Sequence, residues 1–165
     1  MPLLIDGFNL IYKFPDLEEM MYRGLLDNAR AGLLDKLKEF QSIKKADIRV
    51  VFDGKKAPAN NKRSENIGTI DIFYSLDYSA DFLIKQFIKK DINPKMTTVI
   101  TSDKDIIFYV KRFKAKIMES EKFAAYLDKS VKDHYLSLEP EKEEDPVIST
   151  DEISYWEKLF KSKKK

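Results

Sequence analysis

The sequence of 165 residues contains no cysteine and a single histidine, His134, and these shortages exclude several kinds of chemistry. A chain without cysteine has no thiol nucleophile, no disulfide and no cysteine-ligated zinc site. With one histidine, phosphodiester cleavage by a pair of histidines is excluded as well. The absence of cysteine also fits a reducing compartment.

Long apolar runs and phosphate-binding glycine motifs are missing too. No apolar run approaches the length of a membrane span, and Asp6 interrupts the N-terminal apolar stretch before a signal-peptide core could form. We therefore expect a cytoplasmic protein. There is no glycine-rich phosphate loop, no dinucleotide fingerprint and no acid pair spaced as in aspartyl-phosphate enzymes, which argues against kinases, dehydrogenases and phosphatases.

Neither sign of charge is in large excess, because 30 basic and 28 acidic residues give a net charge of +2. Nucleic-acid binding through bulk positive charge is therefore not expected, and any such surface must come from local clustering. The chain is 43% hydrophobic and 12% aromatic. This composition and length predict one globular domain with a sizeable core.

Three short apolar segments each lead into an aspartate, and they have the composition of buried strands. Between the strands, apolar residues recur at intervals of three and four, which predicts amphipathic helices. Because strands and helices alternate, we predict a three-layer α/β/α domain with a mostly parallel central sheet. The predicted strands are 3–6, 47–52, 69–74, 96–101 and 115–118, and the predicted helices include 25–41, 80–90 and 121–136.

Other stretches show no clear periodicity of apolar residues. Residues 9–22 contain Pro15 and predict a loop or a short helix, and residues 54–64 predict a loop rich in positive charge. Residues 139–146 are acidic and bounded by prolines, which indicates a solvated linker before an amphipathic helix with a basic end. We therefore divide the chain into a domain at 1–138 and a linker with a C-terminal helix at 139–165.

The aspartates at the strand ends are the candidate catalytic residues. The carboxyl ends of parallel strands lie along one edge of a sheet, so we expect Asp6, Asp53 and Asp103 to converge there. Asp81, in the first turn of a helix, joins them. Two carboxylates about 4 Å apart repel by roughly 4 kcal/mol at an effective dielectric near 20. A divalent cation, Mg²⁺ or Mn²⁺, is the usual compensation.

A structural role is the alternative for each acid, because aspartate favours helix N-termini and turns without binding a metal. Their joint placement on one edge favours the metal site. We interpret Asp6, Asp81 and Asp103 as the catalytic and metal-binding residues. Asp53 and Asp105 are secondary candidates for the same carboxylate cluster, and Asp53 is counted among the metal ligands.

Residues near the same edge are candidates for substrate binding. Asn9 could hold a ligand carboxylate or a substrate phosphate, and Ser102 could contact a phosphate, although asparagine is an ordinary turn residue and Ser102 fits a helix N-cap. The loop after Asp53 carries basic residues that could grip a phosphate backbone, although loop charge is more often only solvated. These residues are Lys55, Lys56, Lys62 and Arg63. Three aromatic residues could stack bases or belong to the core, namely Phe8, Tyr12 and Tyr78.

Several segments of the sequence resemble those of a known protein family. The segment Ile5-Asp6-Gly7-Phe8-Asn9 resembles the hydrophobic-Asp-Gly-Tyr-Asn opening of NYN domains in the PIN-like nuclease superfamily, with phenylalanine where tyrosine is usual. The order of the helix at 26–41, the strand ending in Asp53, Ser79-Ala80-Asp81 and Thr101-Ser102-Asp103 resembles the YacP-like branch. The likeness covers nearly the whole chain.

The resemblance implies a metal-dependent endoribonuclease, with Asp6, Asp81 and Asp103 around the metal and Asn9 and Asp53 nearby. We expect metal-assisted hydrolysis of RNA that leaves 5′-phosphate and 3′-hydroxyl ends. This chemistry needs neither histidine nor cysteine. The sequence leaves open whether one cation or two bind, and whether a larger particle such as the ribosome presents the RNA.

Three rival functions are also compatible with the sequence. The chain could be a non-catalytic RNA-binding module that kept the fold and lost the chemistry. It could be a flap-type DNA nuclease, for which it is short and lacks an obvious helical clamp. It could also act as a protein-interaction subunit through the C-terminal helix, whose apolar face consists of Ile153, Trp156, Leu159 and Phe160.

Overall fold

The computed structural model describes residues 1–54 and 64–138. The predicted linker and C-terminal helix at 139–165 lie outside the described residues, as does most of the loop predicted at 54–64. Residues 1–131 form one compact unit, which holds all the strands of the described chain. None of the helices built from described residues is long and apolar enough to cross a membrane.

Strands and helices alternate along the chain, as predicted. A short 3₁₀ turn, Pro94–Met96, precedes the fifth strand. The strands of the described residues are β1 (Pro2–Asp6), β2 (Asp47–Phe52), β3 (Ser64–Ile67), β4 (Ile70–Tyr74), β5 (Thr98–Ile100) and β6 (Lys116–Met118). The helices are α1 (Gly7–Ile11), α2 (Pro15–Tyr22), α3 (Leu26–Lys44), α4 (Ala80–Lys90), α5 (Lys104–Lys111) and α6 (Ser120–Leu138).

The six strands form one sheet in the order β3-β4-β2-β1-β5-β6. All neighbouring strands are parallel except β3 and β4, which confirms the mostly parallel sheet. β1 is central, and its register sets Asp6 beside Val51 of β2. Ile5 pairs with Ile100 of β5, so the last residue of β1 lies next to Thr101.

The side chains of β1 alternate between the two faces of the sheet, as a strand buried on both faces requires. Leu3 and Ile5 join a core shared with α1, α2, α3 and the part of α6 up to residue 131. Leu4 joins a second core on the opposite face, shared with α4 and α5. Two cores on opposite faces confirm the three-layer α/β/α architecture.

Two local predictions differ from the structure, and a third is made more exact. Residues 9–22, predicted as a loop or a short helix, contain α2 and most of α1, and Pro15 occupies the first turn of α2, where its missing N–H costs nothing. The edge strand β3 was not predicted, because this short, half-exposed segment has no apolar alternation. The fifth strand begins at Thr98 and not at Met96, because Pro94 starts a 3₁₀ turn there.

Gly7 follows Asp6 directly and allows β1 and β2 to approach at the sheet edge. A Cβ atom at this position would lie 2.5 Å from the Phe52 ring and 3.0 Å from the Val51 carbonyl oxygen. Real Cβ atoms do not approach that closely, so glycine is needed here for space. The close packing holds the chain in place immediately after the Asp6 carboxylate.

Candidate active site

Four of the predicted acids lie at the carboxyl edge of the sheet. Asp6 is the last residue of β1, and Asp53 directly follows β2. Asp103 precedes α5 after β5, and Asp81 lies in the first turn of α4. The charges of Asp103, Asp53 and Asp81 all act on the Asp6 carboxyl. The topology therefore brings together acids that are up to 97 positions apart, since Asp6 and Asp103 are the most distant pair.

Asp6 is the buried member of this group, with 9% of its surface exposed. Burial, and to a smaller extent the negative charges of the other three acids, raise the pKa of its carboxyl to about 6, although the hydrogen bond from Thr101 opposes this rise. That bond joins Thr101 Oγ1 to Asp6 Oδ2 at 2.9 Å. Within the described part of the chain, no other group donates a hydrogen bond to this carboxylate. Its Oδ1 atom therefore receives no hydrogen bond from the residues that the structure describes.

Thr101 is a site residue that sequence reasoning missed. Its side chain is fully buried, and its Oγ1 atom accepts a 3.1 Å hydrogen bond from the backbone N–H of Asp103. The same hydroxyl donates to Asp6, so it joins the two acids. The available signal was a threonine at the end of an apolar strand, directly before Ser102-Asp103.

Asp103 is the N-cap of α5. Its Oδ1 atom accepts hydrogen bonds from the backbone N–H groups of Asp105 at 2.8 Å and Ile106 at 3.4 Å. The interpretation of Ser102 as the N-cap is therefore wrong, because the chain enters the helix one residue later. The cap uses one carboxylate oxygen, and among the described residues no donor reaches Asp103 Oδ2.

Asn9 and Ser102 form a polar cluster with Ser120, the first residue of α6. Asn9 Oδ1 accepts a 2.9 Å hydrogen bond from Ser102 N and a 2.6 Å hydrogen bond from Ser120 Oγ. Ser102 Oγ accepts from Ser120 N at 3.1 Å. The oxygen atoms of both predicted phosphate ligands are thus engaged within the protein. The Asn9 amide N–H groups make no hydrogen bond with any described residue and can donate to a ligand.

Asp53 is exposed and ties three segments together. Its Oδ1 atom accepts a 3.1 Å hydrogen bond from Ser75 Oγ, after β4, and a 3.2 Å hydrogen bond from the backbone N–H of Ala80. Ser75 Oγ in turn accepts from Gly54 N at 2.7 Å. These bonds hold the start of α4, and with it Asp81, against the end of β2.

Lys85 is a second site residue that sequence reasoning missed. Its ammonium group lies 2.9 Å from Asp81 Oδ1 and 2.6 Å from Asp105 Oδ2, and 20% of its side chain is exposed. The hydrogen bonds to Asp105 and Asp81 raise the pKa of Lys85, and the bond from Lys85 lowers the pKa of Asp105. The spacing of four residues from Asp81 on a helix was the available signal. Asp105, which we placed beside the metal, is the partner of this lysine.

The remaining predicted contacts divide into two groups. The basic residues of the loop, Lys55, Lys56, Lys62 and Arg63, lie outside the described residues. Of the three aromatic candidates, Phe8 packs edge-on against Phe52 at a centroid distance of 5.2 Å, whereas Tyr12 and Tyr78 are exposed. Phe8 therefore serves the core, and Tyr78 presents its ring to solvent.

The donor atoms at this edge fit a hard divalent cation. They are carboxylate oxygens, the preferred ligands of Mg²⁺ and Mn²⁺, and Asp6 and Asp103 each keep one oxygen without a donor from the described residues. In their present rotamers, no three acidic or histidine side chains of the described chain gather closely enough to surround an ion. Asp81 is instead paired with Lys85.

The fold and the acidic edge define a PIN-like α/β domain. The model of the YacP-like NYN domain, a nuclease-type family, matches residues 3–161, and the chain belongs to this family.

Two solved structures share the fold. The crystal structure of Rae1 (YacP) from Bacillus subtilis has a TM-score of 0.69 at 20% sequence identity, over 99% of this chain and 92% of that chain. The structure of a tryptophan-to-leucine mutant of the same protein has a TM-score of 0.65 at 21% identity, over 86% of each chain. The sequence matches none of the curated proteins.

Proposed function

We propose that this protein is a metal-dependent endoribonuclease that hydrolyses phosphodiester bonds of RNA and leaves 5′-phosphate and 3′-hydroxyl ends. Membership of a nuclease-type family supports the reaction class. The observation that carries the proposal is the buried Asp6 carboxyl, whose pKa burial and three acids from other segments raise to about 6. Four acids at one edge repel one another and destabilise the fold. Such an arrangement is typical of a functional site that needs concentrated negative charge.

Asp6, Asp81 and Asp103 would hold Mg²⁺ or Mn²⁺, with Asp53 beside them. When bound, the cation supplies a Lewis acid that activates water and stabilises the charge developing on the scissile phosphate. Thr101 holds Asp6 Oδ2 through its hydrogen bond, which leaves Oδ1 available to the cation. Asn9 offers its amide N–H groups to a phosphate oxygen, because its own carbonyl is held by Ser102 and Ser120.

Lys85 has a charge-balancing role in this proposal. Its ammonium group pairs with Asp81 and Asp105 at the same edge and offsets one of their two negative charges, so the repulsion among the five carboxylates there is reduced. Binding of a divalent cation by Asp81 requires that its bond with Lys85 loosens. The released ammonium group is then close to the substrate backbone, where it can pair with a phosphate.

A non-catalytic RNA-binding module is the second candidate, and the Lys85 pairing favours it. A lysine that already occupies two acids can replace the cation permanently, as in a fold that has lost its chemistry. In that case RNA would bind equally with and without Mg²⁺ and would not be cleaved.

Cleavage of matched RNA and DNA oligonucleotides tests the proposal. The purified full chain is incubated with each end-labelled oligonucleotide in Mg²⁺, in Mn²⁺ and in EDTA, beside the variants Asp6→Asn and Asp47→Asn. Asp47 is an exposed acid at the opposite end of β2, so its variant is the matched control. We expect cleavage of RNA by the wild type and by Asp47→Asn, in either metal, and none by Asp6→Asn. Cleavage of DNA alone would favour the flap-type nuclease, and equal activity in EDTA would overturn the proposal.

A further inference from the structure

A cavity of about 300 Å³ opens beside the acidic edge, on the β4 side of α4. Its walls are apolar and aromatic, and they come from β4, from the turn that follows β4, and from α4. The residues used below are Phe73, Ser75, Asp77, Tyr78, Leu83 and Phe87. The cavity belongs neither to the acid cluster nor to the Asn9 cluster.

The cavity is directly connected to the acidic edge. Ser75 lines it and donates a hydrogen bond to Asp53, one of the acids whose charge acts on Asp6. Successive helix residues are separated by 100°, so Asp81 and Leu83 project from opposite sides of the first turn of α4. Asp81 faces Lys85 and Asp105, and Leu83 faces the cavity. An extended ligand that lies across the N-terminal end of α4 would therefore contact both the acidic edge and the cavity.

An exposed pair of stacked aromatic rings stands at the mouth of the cavity. The rings of Tyr78 and Phe82 are 5.0 Å apart with an interplanar angle of 19°, and 60% of Tyr78 and 42% of Phe82 are exposed. The turn that presents Tyr78 is held in place, because Leu76 N donates to Gly54 O and Ser75 N donates to Phe52 O, both at 3.0 Å. Leu76 also has a φ of 53°, which a leucine adopts only where its surroundings enforce it.

We propose that this cavity binds one nucleobase of a single-stranded RNA, adjacent to the phosphate held at the acidic edge. The inference rests on the proposed function, since it names how the same site holds its substrate. A flat base can stack on Tyr78 and enter between Leu83 and Phe87, and base stacking on an aromatic ring is a recurrent mode of single-strand recognition. Asp77 at the cavity wall disfavours an anionic occupant such as a phosphate and accepts a hydrogen bond from a base amino group.

Binding of RNAs that lack one base tests this site without relying on cleavage. A short labelled RNA, and a series in which each position in turn is abasic, are titrated with the full chain carrying Asp6→Asn. The same titrations are made after adding Tyr78→Ala or Phe108→Ala. Phe108 is an exposed aromatic residue on α5 outside the cavity, so its variant is the matched control.

We expect removal of one particular base to weaken binding about tenfold, and Tyr78→Ala to weaken binding of the intact RNA by a similar factor. With Tyr78→Ala added, removal of that base should no longer weaken binding. With Phe108→Ala added, the affinities should equal those of the Asp6→Asn protein. The proposal is overturned if the abasic effects are the same with and without Tyr78, or if no RNA binds. RNA cleavage without this coupling would reject the base site alone, and the coupling without any cleavage by the wild type would reject only the nuclease.

Discussion

Thr101 Oγ1 donates a 2.9 Å hydrogen bond to Asp6 Oδ2 and joins the carboxyl ends of the adjacent strands β5 and β1. The same oxygen accepts a hydrogen bond from Asp103 N, so one buried hydroxyl connects Asp6, at the end of the central strand, with Asp103 after the neighbouring strand. This link fixes the rotamer of Asp6 and opposes the rise of its pKa. It also makes Thr101 the residue through which the site can be tested without changing an acid.

Replacement of Thr101 by valine keeps the shape of the side chain and removes the hydroxyl. The pKa of Asp6 should rise further, because the bond that lowers it is lost. We expect kcat/KM for RNA at pH 7 to fall about 10- to 100-fold, since a hydrogen bond to a charged group contributes about 1.5–3 kcal/mol. The acidic limb of the pH–rate profile should shift to higher pH.

Thr97→Val is the matched control for this variant. Thr97 is also buried, and its Oγ1 atom donates a 2.8 Å hydrogen bond to Asp91, but at the opposite edge of the sheet. It should lose a comparable amount of stability and keep its pH–rate profile. A similar shift of the profile in both variants would show that Thr101 acts through stability alone.

Replacement of Asp6 by asparagine should stabilise the metal-free protein at neutral pH. The pKa of Asp6 is about 6 in the folded state against an ordinary value of 3.8, so the folded state holds a proton that the unfolded state releases. The stability of the wild type should therefore fall as the pH rises from about 4 to about 6 and then level off. The difference of about two pKa units corresponds to about 3 kcal/mol at pH 7.

Thermal unfolding in EDTA between pH 4 and pH 8 measures this effect. Asp6→Asn should lack the fall between pH 4 and pH 6 and unfold at a higher temperature than the wild type at pH 7. Asp47→Asn, which removes an exposed acid at the far edge, should follow the wild-type curve. An Asp6→Asn protein that is less stable than the wild type at pH 7 would contradict the description of Asp6 as a carboxyl destabilised by its charge.

The position of the acids could be predicted from the sequence, because it follows from topology. An apolar run that ends in aspartate predicts the strand, and parallel strands place their ends on one edge, so Asp6, Asp53 and Asp103 needed no further information. Asp81 followed from its place in the first turn of an amphipathic helix. The three-layer arrangement could be predicted in the same way, because predicted strands alternate with predicted amphipathic helices along the sequence.

The contacts that tune the acids could not be predicted, because they depend on register and rotamers. Whether Thr101 or Ser102 faces Asp6 is decided by the pairing of Ile5 with Ile100, which the sequence does not encode locally. The contact between Lys85 and Asp105 joins two helices whose packing brings residues 20 positions apart together. The polar edge strand β3 was missed for a related reason, since its pairing with β4 and not its own pattern makes it a strand.

Replacement of Lys85 by methionine tests its role as the internal counter-charge. Without the ammonium group, Asp81 and Asp105 are left without a counter-charge, and we expect the metal-free protein to unfold at a slightly lower temperature than the wild type. This loss of stability should shrink as Mg²⁺ is added, because the cation takes over the same charges. The measurement is the unfolding temperature as a function of Mg²⁺ concentration.

Lys89→Met provides the comparison for this titration, because Lys89 is exposed one turn further along α4. It should show neither the loss nor its recovery. If Mg²⁺ raises the unfolding temperature of the wild type and of Lys85→Met by equal amounts, Lys85 and the cation do not compete for the same carboxylates.

Replacement of Gly7 by alanine should destabilise the protein through a steric clash beside Asp6. The new Cβ atom would meet the Phe52 ring at 2.5 Å, and that ring packs against Phe8 and Tyr74 and cannot move freely. We expect a loss of about 1–3 kcal/mol in denaturant unfolding. Gly32→Ala is the control, because its clash involves only the end of the Leu17 side chain and alanine favours the helix. Equal effects of the two substitutions would argue against a tight contact at Gly7.

The most direct measurement is the anomalous scattering of Mn²⁺ in crystals of the full chain grown or soaked at a saturating concentration. We predict a peak at coordination distance from carboxylate oxygens of Asp6 and Asp103, with the Asp81 side chain turned away from Lys85 and towards the ion. Mn²⁺ peaks found only elsewhere, with the Asp6 carboxylate still bound by Thr101 alone, would contradict the assignment of this edge as a metal-dependent active site.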